Sequence, residues 1–388
     1  MMKRITILLL LAAFGCTLPL SAQWQRRVTP ADTLHSTVVL PDGKVVFQIY
    51  APKARTVSVA GDLPWGSPVT FREMPNGVWK GVCEGLGEGV FRYHFVVDGI
   101  SVQDPKSPQA GETSALLTVG ESYVSDIPHG ALAQRWYYSR TLGGMRRMHV
   151  WTPAGYENSK QKLPVLYLIH GGGDNDASWP TVGAAGWILD KLLAEGKMVP
   201  MIVVMPNGNP TCDAAPGEWH EGLYTPNGDA FRNRGAKATF PESFMDIVNF
   251  IDNNYKTIRK REARAVTGLS MGGGHTLSIS RLYPTTFAYF GLQSAANSIK
   301  PDFRRGFTFE NAMADETFNK EMKALFDSNP KLYWIAIGNQ DFLYQNNVEL
   351  RKFLDAKKYK YEYFENDGGH LWRNWRIYLT MFAQRLFK

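Results

Sequence analysis

From about residue 135 onward the chain alternates between two kinds of segment, and that alternation restricts its fold more than any other feature. Short apolar runs suited to buried strands recur as PVLYLIHG (164–171), MIVVMPNG (201–208), ARAVTG (263–268), FAYFGLQS (287–294), LYWIAIGNQD (332–341) and KYEYFEND (360–367). Helical periodicity lies between them: in PESFMDIVNFIDNNY, residues Phe244, Ile247, Val248 and Ile251 fall at i, i+3, i+4 and i+7. WILDKLLAEG, NVELRKFLDAKK and WRNWRIYLTMFAQRLF are further helical candidates. Strands alternating with helices imply a mostly parallel sheet covered on both faces. In such sheets reactive groups collect where strands end in loops at their carboxyl termini.

Residues 30 to about 120 have a different rhythm. In FRYHFVVDG, Phe91, Tyr93, Phe95 and Val97 share one face and Arg92 and His94 the other; VVFQIYAP and TVSVAGD alternate similarly. Period-two patterning between closely spaced turns predicts a small antiparallel, immunoglobulin-like β-sandwich. The expected organisation is a leader over 1–22, a β-sandwich over 23–125, a linker over 126–134 and an α/β domain over 135–388.

The first residues, MMKRITILLLLAAFGCTLPLSAQ, combine a basic start, an apolar stretch and small residues at Ser21-Ala22. They read as a secretory signal peptide cut after Ala22, with lipid attachment at Cys16 as the alternative. Loss of Lys3 and Arg4 takes the formal charge from +7 to +5. The remaining basic residues are dispersed; the longest cluster, KTIRKREAR (256–264), reads as a solvated helix end rather than a nucleic-acid surface. No other apolar stretch is long enough for a membrane span. Only Cys83 and Cys212 then remain, so no disulfide framework, metal-ligand spacing or cofactor is expected.

One motif stands out. AVTGLSMGGGHTLSIS (265–280) sets Ser270 between Gly268 and Gly272, with an apolar strand before it and a helical pattern after it. Among 36 glycines a short G-x-S-x-G match also arises by chance; the strand-to-helix context is what makes it a nucleophile elbow. A serine nucleophile needs a base, and His370, in ENDGGHLWRNW after the last strand, is the best placed of the eight histidines. The base needs a carboxylate: Asp341 ends the preceding strand, while Asp367 competes from three residues before His370. The order Ser270, Asp341, His370 is that of α/β hydrolases. Oxyanion donors are expected from the Met271 N–H at the helix start and from LIHGGGDND, where Gly171, Gly172 and Gly173 leave the backbone bare.

HGGG, GLSMGG, GNQDF and GGHLWRNW together resemble the esterase-D-like carbohydrate esterases of family CE1, which include feruloyl and acetylxylan esterases. The resemblance covers about residues 130–388 and implies Ser270, Asp341 and His370 as the triad, with Gly172 and Met271 as oxyanion donors. YAPKARTVSVAGDLPW and GVWKGVCEGLGEGVFRYHFVVDG resemble CBM48-like modules, with Trp65 the one obvious aromatic after the GD turn. The long segment 207–240 is expected to cover the site: Trp219, His220, Tyr224 and Phe231 either sandwich an aromatic acyl group or pack the loop itself. With export and the appended module, the expected partner is a plant cell-wall polysaccharide ester, foremost feruloylated arabinoxylan. Acetylxylan, a catechol-siderophore ester and a catalytically silent glycan-binding role are the alternatives. The β-module carries no residue assigned to the chemistry, so the α/β domain is expected to act without it.

Overall fold

The Val, Phe and Tyr residues that alternate near the N-terminus pair into two sheets. The computed structural model describes residues 28–63, 69–111, 114–120, 126–212, 214–217, 237–300 and 307–388. The leader, Cys16, Trp65 and all four aromatic candidates of the long segment (Trp219, His220, Tyr224, Phe231) lie outside them. One sheet contains β1 (Thr37–Val39), β2 (Val45–Tyr50), β4 (Phe71–Glu73) and β5 (Val78–Cys83), after β3 (Val57–Gly61) has left for the other. There β3 pairs with β6 (Gly89–Val97), which also pairs with β7 (Ile100–Val102) and β8 (Ala115–Val119). Phe47, Tyr93 and Phe95 are fully buried between the sheets and meet edge to face.

The second domain is one eight-stranded sheet. It opens with an antiparallel pair that the sequence reading did not anticipate, β9 (Ala131–Ser139) and β10 (Gly144–Thr152). Residues 131–134, expected as linker, are therefore the start of β9, paired through Ala131–Gln134 with His149–Thr152. The six anticipated strands follow as β11 (Val165–Ile169), β12 (Ile202–Pro206), β13 (Arg264–Leu269), β14 (Tyr289–Gln293), β15 (Leu332–Gly338) and β16 (Glu362–Asn366). All neighbours among these six are parallel, in the order β16-β15-β14-β13-β11-β12, with β10 and β9 completing the edge.

Helices α1 (Ala185–Ala194) and α7 (Trp372–Ala383) cover one face. The other carries α2 (Phe244–Asn254), α3 (Met271–Leu282), α4 (Phe309–Ala314), α5 (Glu316–Asp327) and α6 (Tyr344–Ala356). Within β11, Tyr167 and Ile169 join one core while Leu166 and Leu168 join the other, so every residue of the strand is buried. That explains its continuous apolar run. The basic run 256–264 follows the C-terminal end of α2, includes a short 3-10 turn (Arg261–Ala263) and leads into β13. Arg259 and Lys260 are exposed, while the Lys256 ammonium is held by the carbonyls of Tyr156, Glu157 and Ser159, and Arg264 by Asp252. Among the described residues no helix is long and apolar enough to cross a membrane.

The connectivity locates the site. From β11 the chain moves outward to β12, then crosses back to place β13 on β11's other side. Loops leaving β11 and β13 thus diverge, opening a crevice at the carboxyl edge. Ile169 and Gly268 are register partners across that pair, which brings the loop beginning at His170 beside Ser270.

Candidate active site

Ser270 sits at the apex of the turn from β13 into α3, with φ +54° and ψ −116°. This backbone conformation is disfavoured for a residue with a Cβ, at a cost of about 1–3 kcal/mol. Neighbouring strands hold it there: the Ser270 N–H donates to the Gln293 carbonyl (2.9 Å), and its carbonyl accepts from Gly274 (3.1 Å) and Ala296 (2.9 Å). The flanking glycines are needed for space. A Cβ on Gly268 would come within 2.5 Å of the Gly272 carbonyl carbon, and one on Gly272 within 2.5 Å of the His170 carbonyl oxygen. Strand and helix approach more closely than any side chain allows.

The first hydrogen bond of α3 runs from Gly274 to Ser270, leaving the N–H of Met271 at the positive end of the helix without an intrahelical acceptor. Facing it is the loop after β11. Gly171 to Asp174 form a turn in which the Asp174 N–H reaches the Gly171 carbonyl (3.4 Å) and Gly173 takes φ +79°, as the third residue of a type II turn requires. Gly171 lies so close to Ser270 that a Cβ there would sit 3.3 Å from Ser270 Cβ.

The turn is anchored by a histidine that the sequence reading passed over. His170 Nε2 accepts from the Gly208 N–H (2.8 Å), so Nδ1 carries the proton and donates to the Gly171 carbonyl (2.7 Å). His275 in α3 donates from Nε2 to the Gly208 carbonyl (3.2 Å). Burial pushes both imidazoles below the ordinary histidine range; His275, with His170 nearby, is lowered to about 3. The only local signal for His170 was its position directly before the glycines.

His370 and Asp341 come from loops after adjacent strands. His370 Nδ1 lies 2.9 Å from Asp341 Oδ2 and 3.0 Å from Oδ1, and the Leu343 N–H also donates to Oδ1 (2.9 Å). The Asp341 carboxylate is buried while the imidazole is partly open. Asp367 accepts instead from the Asn339 amide (2.9 Å) at the surface. Asn374, buried in the first turn of α7, binds the Gly369 carbonyl (3.0 Å) and accepts from Asn366 (2.9 Å), fixing the loop that carries His370. The rings of Phe342 and Trp375 flank the imidazole at 4.4 and 4.8 Å.

Ser270 and His370 line one cavity of about 730 Å³ together with Gly171, Gly172 and Gly173. Its far wall corrects the expectation that the β-module stands apart from the chemistry. That wall is formed by Asp62, Leu63, Leu86, Phe91 and Arg92 of the module. Arg92, on the strand face opposite Tyr93 and Phe95, binds Asp62 of its own domain and reaches across to Asp174 Oδ1 (2.6 Å). In return Arg376 of α7 donates to the module's Val90 carbonyl (3.2 Å) and to Val182 (2.9 Å). Val90 and Leu116 are buried in the same apolar cluster as Trp179, Trp372 and Trp375.

Comparison with known proteins agrees with this architecture. Residues 139–386 match the Esterase family, and residues 34–113 match carbohydrate-binding module 48, the isoamylase N-terminal domain. An endo-1,4-beta-xylanase/feruloyl esterase of Xylanibacter ruminicola is 32% identical over 370 residues, covering 90% of this chain and 46% of the relative. The chain thus spans less than half the length of that curated relative. Two solved structures share the fold. A CE1 ferulic acid esterase from Anaeromyces mucronatus, in complex with ferulic acid, has 23% identity and a TM-score of 0.54, covering 68% of this chain and 93% of its own. The enterobactin esterase of Shigella flexneri has 15% identity and a TM-score of 0.58, covering 88% and 92%.

Proposed function

We propose that this chain, which belongs to the Esterase family, is a serine-dependent carbohydrate esterase whose nucleophile is Ser270. The observation that carries the reading is the strained serine at the start of α3, opening on the same cavity as a histidine whose other nitrogen is held by a buried carboxylate. In this mechanism Ser270 Oγ attacks the ester carbonyl and His370 takes its proton through Nε2. Asp341 holds Nδ1–H and stabilises the imidazolium. The N–H groups of Met271 and Gly172 receive the negative charge that develops on the carbonyl oxygen. Collapse of the intermediate expels the alcohol, which collects the proton from His370. Water, activated by the same imidazole, then releases the acid.

Among alcohols and acids, the reading favours ferulate on arabinoxylan. It is supported by the 32% identical xylanase/feruloyl esterase and by the CBM48 match beside the catalytic domain. Export, motivated by the apolar leader-like stretch before Ala22, would deliver the enzyme to such a polymer. Wild-type protein should be labelled by a fluorophosphonate and Ser270→Ala should not, with hydrolysis falling roughly 10⁴–10⁶-fold. Absence of labelling would leave a silent glycan-binding role. Methyl ferulate, acetylated xylan and a catechol-siderophore ester assayed side by side then test the acyl group: a clear preference for either of the last two replaces the feruloyl reading.

A further inference from the structure

The turn through Gly172, which lines the cavity, is tied down on both sides. On the β11 side, His170 clamps the Gly171 carbonyl and is itself held by Gly208. On the far side stands Asp174. Its carbonyl accepts from the Asn209 amide (2.9 Å), while its carboxylate, 8% exposed, accepts from Arg92 of the β-module. Among the described residues Arg92 is the one ion-pair partner of Asp174, and it belongs to a different domain, 82 residues away in sequence. Arg92 is itself fixed, since Asp62 binds its Nε (2.8 Å) and Nη2 (3.2 Å) in a two-pronged pair. A guanidinium can engage two carboxylates in one plane; a lysine ammonium cannot reproduce that geometry.

We propose that Arg92 is a positioning residue for ester hydrolysis: the β-module acts through Arg92 and Asp174 to hold the Gly171–Gly173 turn so that its amide meets the oxyanion. This rests on the esterase reading above. Without Arg92 the nearly buried Asp174 carboxylate loses its counter-charge, and its relaxation toward water strains the turn of which it is the last residue. Displacement of one amide weakens binding of the oxyanion, which forms in the transition state and tetrahedral intermediate but not in bound substrate, and barely affects ground-state binding.

The test compares wild type, Arg92→Ala, Arg92→Lys, Asp174→Asn and the Arg92→Ala/Asp174→Asn double variant in the full chain. Each is measured with 4-nitrophenyl acetate, which depends on no particular acyl or sugar group. Inhibition by phenylboronic acid, which forms a tetrahedral adduct on a nucleophilic serine, is measured alongside binding of free ferulate. The expected result is a fall in kcat of about ten- to a hundredfold in Arg92→Ala with KM nearly unchanged, a fraction of the cost of deleting an oxyanion donor outright. Boronate affinity should fall in parallel while ferulate binding stays near wild type. Arg92→Lys should recover little, and the double variant should be no worse than the more damaged single one. If Arg92→Ala does not fold, Asp174→Asn and Arg92→Lys carry the same comparison. A lower melting temperature with unchanged kcat and boronate affinity would reduce the pair to a domain clamp and overturn the proposal. Equal losses of boronate and ferulate would overturn it in favour of direct substrate contact. If wild type hydrolyses no ester and binds no boronate, the esterase reading itself has failed; active wild type with active variants defeats the positioning role alone.

Discussion

His370 Nδ1 faces both carboxylate oxygens of Asp341, at 2.9 and 3.0 Å, although 29 residues separate the two. Asp367, three positions before the histidine, is bound to Asn339 instead. The partner nearer in sequence is not the partner in space. Strands β15 and β16 are parallel neighbours with Gly338 opposite Asn366, so the loops leaving them rise side by side.

Asp341→Asn should therefore be much the more damaging of the two isosteric changes. The Asn amide can donate to Nδ1, whereas the Asp carboxylate only accepts from it, so Asn favours the wrong imidazole tautomer, and turnover should drop about 10³–10⁴-fold. Asp367→Asn should stay within a few-fold. Steady-state rates on one small ester decide the matter, and the reverse order would assign the carboxylate to Asp367.

Acid should weaken the fold through His170 and His275. Both are buried and held below the ordinary histidine range, His275 at about 3. The unfolded chain takes up these protons as pH drops below about 6.5, whereas folded His275 resists until about pH 3. The unfolded state thus binds more protons across that window, and stability falls with acidification through it while staying flat above it. Melting temperatures between pH 4 and 7 should decline less steeply in His275→Gln, which keeps a donor for Gly208. An unchanged slope would exclude His275 as a contributor.

Removing the β-module should damage the enzyme itself. Deletion of residues 23–125 strips one wall of the cavity, uncovers Trp372 and Trp375, and takes Val90 and Leu116 out of the shared core. Each such aliphatic side chain contributes about 1.5–3 kcal/mol when buried. We expect a lower melting temperature and at least a tenfold loss on a small soluble ester, where tethering to a polymer gives no advantage. Activity within a few-fold of the intact chain would show that the α/β domain stands alone.

The strained serine turn was legible because its signal is local. Gly268, Ser270 and Gly272 lie within five residues and are read together as one turn, although in space Gly268 makes room for α3 and Gly272 for the end of β11. His370 was legible by its glycine-flanked place after the last strand. Asn374 was not, since a lone polar residue in an amphipathic helix carries no mark of whether it faces water or binds the Gly369 and Asn366 groups beside His370. The start of β9 was missed for a related reason: Ala131–Gln134 lacks an apolar alternation of its own and is strand because β10 pairs with it.

By itself the sequence determined everything that depends on neighbours along the chain: the alternation that makes a covered parallel sheet, the period-two faces of the sandwich, and the bend that presents Ser270. Tertiary structure alone decided which acid serves His370, how His170 pins the glycine turn, and that Arg92 faces Asp174 rather than solvent. Side-chain periodicity reports only that a face is polar. Whether that face meets water or a carboxylate of another domain depends on how two independently patterned units dock, and docking joins residues with no fixed spacing between them.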